Sequence, residues 1–144
     1  MNDQSAWQYA WRVGIAPQLS TPELQALLRA LQDDAPELVQ GMATDPPPLK
    51  LTQNKPIEAG CAVCLAAWWG SDLETSGEIE KRYREVIERA DVLCQPVGRA
   101  NHFLDWFDST PRQTMRVALM REVECVLNQR YFHKNEVAMD AALN

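Results

Sequence analysis

Residues 57–69 read Ile-Glu-Ala-Gly-Cys-Ala-Val-Cys-Leu-Ala-Ala-Trp-Trp, a run in which Glu58 alone is ionised. A segment with so little polarity has to be covered by protein on all sides, so it sets the centre of whatever the chain folds into. Its thirteen residues fall short of the roughly 20 needed to span a bilayer. Alanine-rich composition favours helix over a buried strand. Asn54 stands where a cap belongs, Pro56 near the first turn and Gly70 just past the end. The expectation is a central helix over 57–69.

The neighbouring helices are marked by their ends. Ser20-Thr21-Pro22-Glu23 has the spacing of a capping box, with Leu19 and Leu24 placed as a hydrophobic staple and Leu24, Leu27, Leu28 and Leu31 forming one stripe. Thr75-Ser76-Gly77-Glu78 is a second box. It opens a long helix over 76–94 with Ile79, Tyr83, Val86, Ile87, Ala90 and Leu93 inward, closed by Pro96 and Gly98. Thr110-Pro111 launches a last long helix over 111–128, striped by Met115, Leu119, Val123, Val126 and Leu127. Asp34-Ala35-Pro36-Glu37 predicts a short helix ended by Gly41, and Pro46, Pro47 and Pro48 a stiff extended connection over 45–48. Trp7, Ala10 and Trp11 fit a helix ending at Gly14, although residues 5–15 also alternate as a strand would.

The architecture expected is all-α, a single domain over residues 1–130 with five to seven helices. The 57–69 helix is sandwiched by helices 76–94, 111–128 and 21–32. The alternative is an α+β domain with a small sheet from 5–15 and 49–53. Residues 131–144 form a C-terminal tail in which Val137, Met139 and Leu143 leave open whether it docks as a short helix, binds something or frays.

A chain of 144 residues with 46% apolar and 24% charged residues is ordinary for one globular domain. The first residues lack a basic stretch leading into an apolar run, so a cytoplasmic location with reduced cysteines is the expectation. A net charge of −6 and a pI near 4.9 oppose nucleic-acid binding, whose affinity comes from neutralising phosphates. Acids dominate from Ser20 to Asp45, whereas Arg112, Arg116, Arg121 and Arg130 outnumber Glu122 and Glu124. These two segments are expected to lie together.

Chemistry-bearing groups are sparse. Cys61 and Cys64 have the two-residue spacing that lets thiolates converge on a metal or on each other, but no second pair completes a zinc site, and His102, Cys94 and Cys125 stand apart. Core packing is the preferred reading for these thiols, with a metal-binding or redox protein as the alternative. On a helix His102, Asp105 and Asp108 share a face, which would suit a small enzyme site; capping and turn roles are preferred. There is no nucleophile elbow, phosphate loop or dinucleotide fingerprint. No catalytic residue, metal or cofactor is assigned.

Five tryptophans are many for this length. Trp68 and Trp69 point about 100° apart on a helix, so one is expected to reach the surface. The function expected is a non-enzymatic protein-protein interaction module, with no nucleic-acid or membrane role. It would bind another protein, or itself, through Trp68, Trp69, Trp106 and Phe107.

Overall fold

The computed structural model describes residues 3–47, 55–94 and 100–143. Among these, six α-helices and one two-stranded ribbon follow in the order α1 (Asp3–Tyr9), α2 (Thr21–Gln32), β1 (Thr44–Asp45), β2 (Ala59–Gly60), α3 (Ala62–Trp69), α4 (Ser76–Leu93), α5 (Ala100–Ser109) and α6 (Arg112–Leu143). The mostly helical class expected from the periodicities is the one observed. A strand over 5–15 is not. Helix α1 continues through a π-helical turn over Ala10–Ile15 and a 3-10 turn over Ala16–Gln18.

Both capping boxes form. Ser20 Oγ accepts from Glu23 N–H at 3.2 Å while Glu23 Oε1 accepts from Ser20 N–H at 2.9 Å, and Thr75 and Glu78 repeat the arrangement at 3.3 and 3.2 Å. Each box satisfies amide donors that the first helical turn leaves without a partner. The apolar stripes of α2, α4 and α6 are buried at Leu24, Leu27 and Leu31, at Ile79, Val86 and Ala90, and at Met115, Leu119 and Val123, with Leu28, Tyr83, Ile87, Leu93, Val126 and Leu127 half-buried beside them.

The central helix is shorter than expected. It starts at Ala62, because the amides that precede it bond to other segments: Ile57 N–H to Glu74 O, Glu58 N–H to Asp45 O, Gly60 N–H to Glu37 O and Cys61 N–H to Ala43 O. Residues 57–60 are therefore extended, with Ala59 and Gly60 paired antiparallel to Asp45 and Thr44. Pro56 bridges Thr75 rather than entering a helix. Asn54, Pro96, Gly98 and residues 49–53 lie outside the described residues.

The short helix expected over 34–41 is absent. Asp34 adopts a left-handed conformation (φ 48°), and the amides of Asp34 and Ala35 return to Leu31 O and Ala30 O, closing α2 in a Schellman motif. Glu37 O and Val39 N–H then bond to Gly60, so the backbone groups that a helix would use are taken.

Helix α3 packs between α2 and α4, and α1 lies on α5. The expected sandwich is corrected in one respect: α6 packs chiefly on α2 rather than against the central helix. Two arginines of α6 fasten that contact. Arg112 Nε donates to Asp34 Oδ1 at 2.6 Å while its other nitrogens reach Leu38 O and Ala35 O, and Arg116 donates to Leu31 O and Gln32 O. The acidic and basic segments thus meet at the end of α2.

A Cβ at Gly70 would collide with the backbone of Glu23. Gly70→Ala should therefore lower stability by about 3 kcal/mol, the upper end of ordinary overpacking, measured by denaturant unfolding. The hydrogen bond from Arg112 holds the Asp34 carboxyl below its ordinary range. Its contribution is complete above the unfolded carboxylate pKa and is lost as pH falls through the lowered folded value. Asp34→Asn should be less stable than the parent at neutral pH, and the difference should shrink in acid.

Candidate functional site

The aromatic residues divide into two groups. On α5, Trp106 stacks on Trp7 with ring centroids 3.6 Å apart and planes 4° from parallel. Phe103 packs beside Trp7, Trp11 and Phe107. This set fastens α5 to α1 and the π-helical turn. Phe107 is only 1% exposed, which withdraws it from any surface patch. Trp68 and Trp69, half-buried at the end of α3, meet edge to face at 6.1 Å. Among the described residues no ring contact joins them to Trp106, so the four aromatic positions do not form one patch.

The spacing of His102, Asp105 and Asp108 does fall on a helix, yet their side chains serve different ends. Asp108 Oδ1 accepts from the amide of Gly41 at 2.8 Å, where φ is 91°. Gln40 adds two bonds from its amide nitrogen to Phe107 O and Thr110 O. Asp108 therefore latches the turn at 40–41 to the end of α5, while Asp105 faces solvent and His102 is partly buried. Among the described residues no three His, Cys, Asp or Glu side chains are grouped closely enough to hold a metal ion.

Cys61 occupies the N-cap of α3 with extended backbone (φ −69°, ψ −179°), and Cys64 lies in the first turn above it. No capping bond joins the Cys61 side chain to the helix, and its neighbour across the first turn is the Cys64 thiol. That thiol, with smaller contributions from the amides of Cys64 and Val63, pulls Cys61 below the ordinary thiol range against the effect of burial. Cys64 moves the opposite way, raised by the neighbouring Cys61 and by burial. Burial, reinforced by Cys61 and Cys64, also pushes the Tyr83 phenol up. Sequence reasoning discounts this pair because no second ligand pair accompanies it and the run around it is apolar. Both thiols are buried, but that reasoning sets Cys61 within the helix. The later helix start places it at the terminus.

A second feature lies where the sequence left matters open. Helix α6 does not end near 130 but continues to Leu143, past its last anchor, where Arg130 donates to Thr21 Oγ1 and Ala16 O. Beyond that point Tyr131, Phe132, Val137 and Met139 are each more than half exposed. Tyr131 and Phe132 touch edge to face at 5.7 Å. An open groove of ≈ 650 Å³ runs along this helix past Arg121, Cys125, Asn128, Gln129, Phe132 and Glu136. The signal available in the sequence was negative: from Arg112 to Asn144 there is no glycine or proline to stop a helix.

If Trp106 serves packing rather than recognition, Trp106→Leu should lower stability by about 1 kcal/mol through loss of the stacked pair, read as a lower unfolding midpoint. Comparisons of the chain with protein-family models, with curated proteins and with solved structures return no match.

Proposed function

We propose that this chain is a protein-protein interaction module whose contact surface is the exposed face of α6, and that its first occupant is a second copy of the same chain. The observation that carries this reading is the exposed strip of α6 that holds Phe132 and Met139, on a helix that outruns the body it packs on. An isolated helical segment of this length is marginal in water and is ordinarily sustained by packing an apolar face. The aromatic contact surface expected from the sequence moves accordingly, from Trp68, Trp69, Trp106 and Phe107 to α6.

Self-association is favoured by charge. At about 100° per residue, Arg121, Cys125, Asn128, Gln129, Phe132 and Glu136 fall on a strip about 100° wide, and all are exposed. Crossing two such helices antiparallel about a two-fold axis at Asn128 and Gln129 sets Cys125 opposite Phe132 of the other copy. The same axis sets Arg121 opposite Glu136, twice by symmetry. A two-fold interface requires this kind of self-complementary strip. The opposite charges fix its register, and the two Cys125–Phe132 pairs flank the amides at the axis with apolar contact.

Sedimentation velocity over a concentration series tests the reading. The full chain should move from monomer to dimer, with Phe132→Ser weakening association about 30-fold, as loss of a central aromatic contact does. Because Phe132 is 63% exposed in the monomer, its replacement should leave the unfolding midpoint unchanged at concentrations where the chain is monomeric. Arg121→Glu and Glu136→Arg should each weaken the dimer about tenfold, and the double exchange should restore it. A chain that stays monomeric up to about millimolar concentration, near the weak limit of specific binding, overturns the reading. So does failure of the double exchange to restore a dimer that the single changes weaken.

A further inference from the structure

We propose that Cys61 and Cys64 form a thiol-disulfide exchange site, acting on a disulfide of the low-molecular-weight thiol class. The argument starts from helix-end geometry. Residues three positions apart at the start of a helix are neighbours on its surface, their Cβ atoms about 5–6 Å apart. Here both positions are cysteine, on α3, and both are free thiols. Gly60 leaves room for this arrangement: a Cβ there would stand 2.9 Å from Cys64 Cβ and 3.2 Å from Ala43 O.

The two thiols are not equivalent. Cys61 keeps a 6% edge of exposure while Cys64 has none, so a reagent from outside reaches Cys61 first. Cys61 also stands at the N-cap, the positive end of the helix dipole, where a thiolate is favoured, while Cys64 lies one turn inside the helix. This is the division between an attacking and a resolving cysteine.

The step balances with the disulfide as oxidant. The Cys61 thiolate attacks one sulfur of the disulfide, that sulfur-sulfur bond breaks, and the first thiolate leaves and takes up a proton. Cys64 then loses its proton and its sulfur attacks Cys61 Sγ, releasing the second thiol. Two protein thiols and one small disulfide become one protein disulfide and two small thiols, with two electrons passing to the small molecule.

The test uses the full chain carrying Cys125→Ser, because Cys125 is exposed and would react independently. The chain is equilibrated with glutathione and glutathione disulfide at graded ratios, quenched in acid and mapped by mass spectrometry, with circular dichroism to follow helicity. The expected product is a disulfide linking Cys61 to Cys64 within one peptide, with Cys94 still reduced. Cys64→Ala should instead accumulate a glutathione mixed disulfide on Cys61, and Cys61→Ala should abolish both products. The proposal is overturned if Cys61 and Cys64 stay reduced at every ratio in the natively helical chain, a result that needs no folded variant. It is overturned equally if a folded Cys64→Ala chain takes up no glutathione.

Discussion

Three helices meet at Glu23, and most of the fold follows from that meeting. Its carboxylate completes the capping box of α2 and accepts from Arg82 of α4 at 3.0 Å, while its backbone abuts Gly70 at the end of α3. Glu23 is only 4% exposed, so its charge needs these donors to be tolerated. Arg82 is itself held, donating to Gln18 O at 2.9 Å. One buried charge thus sets the approach of α2 and α4, and these are the two helices that cover α3, whose residues 62–67 are all buried.

Around that centre, polar side chains act as fasteners between distant segments. Arg112 and Arg116 use backbone carbonyls and Asp34 to attach α6 to the end of α2. Arg12 forms a two-bond pair with Glu122, both at 2.7 Å, and ties the π-helical turn to the middle of α6. Gln40 and Asp108 attach the turn at 40–41 to α5. Guanidinium groups suit this work because their planar array of donors reaches several acceptors at once. The fastening stops at Arg130, and the exposure of α6 begins there.

The helices were legible because their information is local. Ser20, Glu23, Thr75 and Glu78 specify helix starts through bonds spanning three residues, and the leucine, isoleucine and valine stripes specify the buried faces through the 3.6-residue period. The errors have one cause. Residues 34–41 and 57–60 carry helix-compatible sequences, but their amides and carbonyls are taken by each other, by Asp45 and by Glu74, partners that no local pattern reveals. The candidate sites shifted for the same reason. Cys61 became an N-cap only because Ile57, Glu58 and Gly60 are held extended, and Phe107 left the surface because it packs beside Phe103 in the core.

By itself, the amino-acid sequence determined the helical class, the buried stripes, two helix starts and the need to enclose residues 61–67, since each depends on interactions within a few turns of the chain. Only the tertiary structure decided where α3 begins, which helices cover it, and that α6 carries its apolar side chains beyond the body. Those outcomes depend on which distant backbone group or surface a residue meets. A hydrophobic pattern shows that a face seeks a partner; the packing of the whole chain decides whether it finds one.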